Sequence, residues 1–324
     1  MTASTFIPLQ SPFDEGYLDV GQGHRLWYAQ YGNPDGIPLL WLHGGPGSAS
    51  SPRHQHFADP SVYRLILSDQ RGCGRSTPTG GTTDNNTERL LQDINKLRHH
   101  CGLGKVLLGG GSWGACLALA YAQRWPLTLL GLVLRAPFLA GNGDIDRFFQ
   151  PHPDIVDTAW QTFAGHVPAG ERSQLLRYLA QQFSTDDPHV AALAQAWNRY
   201  EASQDQPDVA VEANLDPVEV EKLTQRYRIQ AHYLINRCFL NEVDLLAAAA
   251  DLGELPVAIL QGRDDRICDP DNAVRLHARI AGSRLRMVGG AGHDPFHPDM
   301  ATALLEALNC FALERNFKHW RIGH

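Results

Sequence analysis

The sequence predicts an α/β fold, a mostly parallel central sheet flanked by helices on both faces, with a helical cap inserted into it. Three observations carry this. Short apolar runs ending in glycine or polar residues alternate with stretches of helical period up to about residue 134. Between about Phe138 and Asp251 strand-like runs vanish, and polar, Ala-rich and aromatic helical stretches take over. The strand–helix alternation then resumes to the end of the chain. Such alternation aligns strands in parallel, because each crossover helix returns the chain to the same end of the sheet. The expected division is a core of residues 1–137 and 251–324 and a cap of residues 138–250.

Taken in order, residues 17–20 and 25–31 read as two strands around the turn Gly21-Gln22-Gly23. Residues 38–43 and 63–69 are short apolar runs of the kind that forms buried parallel strands. Residues 87–101 carry Leu90, Leu91, Ile94 and Leu97 at helical spacing, and Gly102 stops the helix. A strand at 105–108, a helix at 113–124 closed by Pro126, and a strand at 129–134 follow. After the cap come a strand at 256–261, a helix at 271–280, a strand at 284–288 and a last helix at 298–314.

Composition narrows the function. The chain has 324 residues, 43% hydrophobic and 19% charged, ordinary for a soluble enzyme. A net charge of −7 argues against a nucleic-acid partner. No apolar run approaches the roughly 18 residues of a membrane helix, and the first 13 residues lack a basic stretch followed by an apolar one, so neither a membrane partner nor a signal peptide is expected. The six cysteines are widely spaced with no Cys-x-x-Cys pair, which points to reduced thiols in a cytoplasm. Residues 141–250 hold 16 Asp plus Glu against 8 Lys plus Arg, while the remainder holds 19 acids and 20 bases. One segment therefore carries the acidity, as a solvated face or as a mouth that attracts cations.

Gly110-Gly111-Ser112-Trp113-Gly114 matches Gly-x-Ser-x-Gly between a strand and a helix, the setting of a nucleophile elbow. The strained turn leaves a serine hydroxyl exposed above the sheet, and side chains at the flanking glycines would clash. Ser112 is the expected nucleophile. A carbonyl under attack needs two N–H groups for its oxyanion. The residue after the nucleophile, Trp113, supplies one, and the loop His43-Gly44-Gly45-Pro46-Gly47 supplies the other. Gly45 is the choice there, because Pro46 has no N–H. His43 reads as a brace for that loop. The relay follows in the order serine, acid, histidine. Arg284 to Val288 leads into Gly289-Gly290-Ala291-Gly292-His293, which makes His293 the base, and the preceding strand ends in Gly262-Arg263-Asp264-Asp265, where spacing leaves Asp264 and Asp265 both open. No metal-ligand grouping or dinucleotide fingerprint occurs, so neither metal nor cofactor is expected.

These motifs, together with Asp69-Gln70-Arg71-Gly72-Cys73-Gly74-Arg75-Ser76 and Leu117-Ala118-Leu119-Ala120-Tyr121-Ala122-Gln123, resemble the bacterial proline iminopeptidases (prolyl aminopeptidases) of the α/β-hydrolase superfamily over most of the chain. The resemblance implies an α/β-hydrolase fold, a serine aminopeptidase, and a small peptide substrate with a free amino terminus; oligomeric state stays open. In the family the acid ends a Gly-Arg-x-Asp stretch, which implies Asp265. A Trp-x-x-aromatic-Glu stretch, here Trp197 to Glu201, implies Glu201 as the grip on the substrate amine. An aminopeptidase needs such a carboxylate to reject blocked termini. Arg135 and Phe138 match a family stretch beside the proline pocket, and Cys268 matches a pocket-lining cysteine. The chain also departs from the pattern. Gln230 stands where the family often has a second carboxylate, Phe148-Phe149 where tyrosines are common, and Gly109 where an aromatic residue often precedes the elbow.

Overall fold

The computed structural model describes residues 8–150, 158–205 and 215–322. Residues 1–7 and 323–324 of the expected core, and 151–157 and 206–214 of the expected cap, lie outside these. Eight strands form one sheet: β1 (Asp14–Gly21), β2 (His24–Gly32), β3 (Ile37–Leu42), β4 (Tyr63–Ser68), β5 (Val106–Gly111), β6 (Leu129–Arg135), β7 (Val257–Gly262) and β8 (Ser283–Val288). Their order is β1-β2-β4-β3-β5-β6-β7-β8. β2 alone runs against the rest. The turn Gly21-Gln22-Gly23, with positive φ at all three residues, is too short for a parallel crossover, so β1 and β2 pair antiparallel.

Ten helices are described: α1 (Thr87–His100), α2 (Trp113–Arg124), α3 (Asn142–Phe149), α4 (Thr158–Gly165), α5 (Leu175–Phe183), α6 (His189–Asp205), α7 (Pro217–Ile235), α8 (Glu242–Ala249), α9 (Pro270–His277) and α10 (Pro298–Glu314). α1 begins where the Asn86 side chain accepts the Arg89 N–H, and its expected apolar stripe is buried. α7 begins at Pro217, with Asp216 accepting the Val218 and Glu219 N–H groups. Between β6 and β7 every regular element among the described residues is helical. None of the described helices is long and apolar enough to cross a membrane.

Alternation along β3 explains why its sequence is apolar throughout. Leu39 and Trp41 pack with Phe57 and the Leu304–Phe311 face of α10, while Leu40 and Leu42 pack with α1 and α2 on the other side. Both faces are covered, so both sets of side chains are buried.

β1 begins at Asp14, three residues before the expected start, and two further boundaries differ from the sequence expectation. β5 continues through Gly109, Gly110 and Gly111 rather than ending at Leu108, because β3 and β6 supply a hydrogen-bonding ladder on either side of it. A Cβ at Gly109 would lie 2.4 Å from the Trp41 ring, so Trp41 fills the space that an aromatic residue at 109 would need. α9 stops at His277 rather than Ile280, since the Ile280 N–H is shared between the Leu276 and His277 carbonyls.

Candidate active site

The strand-to-helix turn at Ser112 is tight. Ser112 has φ 57° and ψ −122°, a conformation that few side chains adopt. It is pinned by its N–H donating to the Arg135 carbonyl at 2.9 Å and its carbonyl accepting the Ala115 N–H at 3.0 Å. Gly114 permits it: a Cβ there would lie 2.2 Å from the Leu42 carbonyl oxygen. Ser112 lines a cavity of ≈360 Å³ at the carboxyl ends of the strands.

His293 lines the same cavity, and its Nδ1 lies 2.8 Å from Asp265 Oδ2. Asp265 is buried, whereas Asp264 is exposed. The other Asp265 oxygen accepts the backbone N–H groups of Ile267 and Cys268 at 2.9 Å each. Burial by itself would raise the Asp265 carboxyl. The charge and hydrogen bond of His293, the Cys268 N–H and Arg135 outweigh it and hold the group below the ordinary carboxylate range. Arg135 also fixes the histidine loop, its Nη1 donating to the His293 carbonyl at 2.7 Å. The Ser112 hydroxyl lies 3.6 Å from Cys268 Sγ, and among the described residues it makes no hydrogen bond to His293. Free enzymes often hold this contact loosely and tighten it on substrate. Burial, with the Asp265 charge behind it, pushes the Cys268 thiol well up, so Cys268 is a neutral neighbour rather than a rival nucleophile.

The glycine loop between β3 and the 52–57 turn is held from below by Gln70. Gln70 N–H donates to His43 Nε2 at 3.0 Å, its side-chain amide donates to the His43 carbonyl at 2.9 Å, and its Oε1 accepts the Trp113 indole N–H at 2.9 Å. One side chain thus ties the loop that carries Gly45 to the first residue of α2. Because Nε2 accepts, the His43 proton is on Nδ1, which donates to the Gly44 carbonyl. Burial pushes His43 below its ordinary pKa, so it is a neutral brace. Asp69 anchors the segment further, taking the Ser50 N–H and hydroxyl on one oxygen and the Arg75 N–H and guanidinium on the other. Trp113 has an N–H at the start of α2 with no acceptor inside the helix. Gly45, with φ 118°, lines the cavity. From the far side α7 presses on the loop: a Cβ at Gly47 would be 2.3 Å from the Arg226 carbonyl oxygen.

Of the residues expected at the site, Gly45, Ser112 and His293 line the cavity together with Arg135, Cys268 and Phe138. Phe148, Phe149, Glu201 and Gln230 complete its wall. Asp265 lies behind His293, and the Trp113 ring is buried. The phenylalanines form an aromatic cluster with Tyr200 and Trp197. Glu201 is already engaged: Oε2 accepts from Arg226 Nη2 at 2.8 Å and Tyr227 OH at 2.9 Å, and Oε1 accepts from Gln230 Nε2. The structure adds three charged lining residues that sequence reasoning missed, Asp144, Asp205 and Arg226. For two of them the signal was helical spacing, Asp205 four residues after Glu201 and Arg226 four before Gln230. Among the described residues no group of three His, Cys, Asp or Glu side chains could hold a metal ion. Chemically, the cavity brings together a strained hydroxyl and a histidine oriented by a buried carboxylate.

Residues 37–299 match the family described as alpha/beta hydrolase fold. The chain is 37% identical over 315 residues to a proline iminopeptidase from Xylella fastidiosa, covering 95% of this chain and 99% of that one. It is 36% identical over 307 residues to a proline iminopeptidase from Arabidopsis thaliana, covering 93% and 80%. Among solved structures, the crystal structure of a proline iminopeptidase-related protein from Thermus thermophilus gives a TM-score of 0.61 at 21% identity, covering 93% of this chain and 98% of that one, a likeness of fold.

Proposed function

This chain belongs to the proline iminopeptidase family of the α/β-hydrolase fold, and from that premise we propose that it is a serine aminopeptidase, releasing an N-terminal residue, proline above others, from small peptides with a free amino terminus. The observation that carries the reading is the convergence on one cavity of the strained Ser112 and a His293 held by the buried Asp265.

In this reading His293 Nε2 takes the Ser112 proton as Oγ attacks the carbonyl carbon of the first residue. The carbonyl oxygen becomes an oxyanion that accepts the N–H groups of Gly45 and Trp113. His293 then gives its proton to the leaving amine, the peptide bond breaks, and the acyl group stays on Ser112. Water, deprotonated by His293, attacks the ester and frees the amino acid. Asp265 keeps the imidazole proton on Nδ1 and offsets the charge that the ring acquires. The helices between β6 and β7 act as a cap over this site, and Phe138, Phe148, Phe149 and Cys268 supply an apolar wall against which a pyrrolidine ring would pack. All six cysteines are free thiols, which fits a reducing compartment such as the cytoplasm.

The test is hydrolysis of prolyl, alanyl and N-blocked prolyl chromogenic amides, with a simple aryl ester alongside. The prolyl amide should be cleaved fastest and the blocked one not at all. Equal cleavage of free and blocked prolyl amides, or turnover of the ester alone, would overturn the aminopeptidase reading.

A further inference from the structure

Resting on the aminopeptidase reading, the question is which group in the cavity meets the substrate's ammonium. Glu201 is already engaged by three donors. One of its oxygens is taken by Arg226 and Tyr227, and the other receives the Gln230 amide. Arg226 stays a cation, since the Tyr227 hydroxyl and the Glu201 charge more than offset the effect of burial on it. Glu201 and Arg226 therefore form a neutral pair, and a second cation there would meet the guanidinium as well as the carboxylate.

Two acceptors in the same cavity are unused. Gln230 turns its Nε2 to Glu201, which leaves Oε1 buried with no hydrogen-bond partner among the described residues. Asp205 Oδ1, at the end of α6, is likewise buried and unpartnered among them. Both residues line the cavity with Ser112 and His293. A buried acceptor without a donor is costly unless a ligand supplies one. The position of Asp205 also fits the chemistry. The α-nitrogen of a substrate is two bonds from the carbonyl that Ser112 attacks, so its anchor must sit beside the catalytic loop. A Cβ at Gly292, next to His293, would lie 3.5 Å from the Asp205 carbonyl oxygen, whereas Glu201 is a helical turn further back. Burial raises the Asp205 carboxyl, and the pull of His293 and Arg135 does not cancel that. An ammonium brought by substrate would supply the missing positive charge.

We infer that Asp205 is the carboxylate that recognises the free amino terminus, with Gln230 Oε1 as the second acceptor, and that Glu201 serves to hold Arg226, Tyr227 and Gln230 in place. A prolyl terminus is a secondary ammonium with two N–H bonds, one for each of these acceptors. A blocked terminus has no charge for Asp205, and a substrate lacking the nitrogen leaves both acceptors empty.

The experiment compares wild type and Asp205→Asn on prolyl 4-nitroanilide and on the 4-nitrophenyl ester of cyclopentanecarboxylic acid, which keeps the ring and lacks the nitrogen. The readout is the ratio of kcat/KM for the two substrates. This ratio cancels any effect on folding, and the 4-nitroanilide of cyclopentanecarboxylic acid, which has the same leaving group as the prolyl anilide and lacks the ring nitrogen, separates out an effect on His293 by slowing equally with the prolyl anilide if only His293 is disturbed. It should fall about 10- to 150-fold in the variant, the range for losing one charge-assisted hydrogen bond. A ratio unchanged by Asp205→Asn, in an enzyme that does cleave the prolyl anilide, overturns this inference and leaves the proposed function standing. A wild type that hydrolyses the ester and not the anilide overturns both.

Discussion

Asp265→Asn is the substitution whose effect can be worked out furthest from the geometry. Oδ1 of Asp265 accepts two backbone N–H groups, from Ile267 and Cys268, at 2.9 Å each, and Oδ2 faces His293 Nδ1 at 2.8 Å and Gln261 Nε2 at 3.2 Å. An asparagine has one acceptor end and one donor end. The two backbone donors demand the acceptor, so the amide nitrogen must turn to His293. The opposite orientation would leave two buried N–H groups unsatisfied, at about 1–3 kcal/mol each. That is a preference of about 2–6 kcal/mol, or at least roughly 30-fold. Facing a donor, His293 Nδ1 must accept, its proton moves to Nε2, and the ring can no longer take the Ser112 proton. The imidazolium formed during attack also loses its anionic partner. Together these should lower kcat by about 10³–10⁴-fold. The assay is kcat on prolyl 4-nitroanilide, with the thermal midpoint confirming that the variant is folded. A loss below about tenfold in a folded variant, or a larger loss from Asp264→Asn at the exposed neighbour, would refute the reasoning.

Ser112→Ala should abolish turnover with little change in thermal midpoint, and a phosphonylating reagent that labels Ser112 in the wild type should label nothing in the variant; labelling elsewhere would count against the elbow. Gln70→Ala removes the partners of the His43 carbonyl and the Trp113 indole, so it should cost about 2–6 kcal/mol in denaturant unfolding and lower kcat more than it raises KM, since the tie between the two proposed oxyanion donors is cut. Asp69 and Asp265 both lie below the ordinary carboxylate value: burial works against this in each, and Arg75 outweighs it at Asp69 and His293 at Asp265. Each therefore contributes stability that is present above the unfolded carboxylate pKa of about 4 and is lost as pH falls through its lower folded value; unfolding midpoints measured down from about pH 5 should drop less steeply in Asp69→Asn. If the acidity of residues 141–250 attracts substrate, kcat/KM for a cationic peptide should fall with added salt while a neutral ester responds little, and equal responses would assign the acidity to solubility.

What was legible in the sequence was what local chemistry dictates. The elbow glycines, the helix at Thr87 with its apolar stripe and the buried β3 strand follow from short-range sterics and alternation, and the structure has them close to the expected bounds. The glycines of β5 read as a loop because their strand character comes from two neighbouring strands rather than from themselves. The same limit applies at the site. The pairing of His293 with Asp265 rather than Asp264 needed the family resemblance, because adjacent residues differ only in which one the fold turns inward. The role of Gln70 was hidden inside a motif recognised only as diagnostic. The engagement of Glu201 depends on Arg226, which is 25 residues away on another helix, and no pattern along one helix reveals it.

The contact between Gly47 and the Arg226 carbonyl bears on how such enzymes can be recombined. It is one of several seams between the helices that follow β6 and the rest of the chain: Tyr233 OH donates to Asn85 at 2.6 Å, His232 meets the Asn85 carbonyl at 2.7 Å, and the Thr87 hydroxyl donates to the Cys238 carbonyl. Each seam reaches the glycine loop, the loop that leads into α1, or the first residue of α1. Grafting the helical insertion of a relative with another substrate preference would therefore change the backing of the glycine loop along with the pocket. A chimera would have to carry the 44–50 and 72–86 loops with the insertion as one cassette, and one that exchanged the insertion alone should lose turnover on every substrate, including those its new pocket fits.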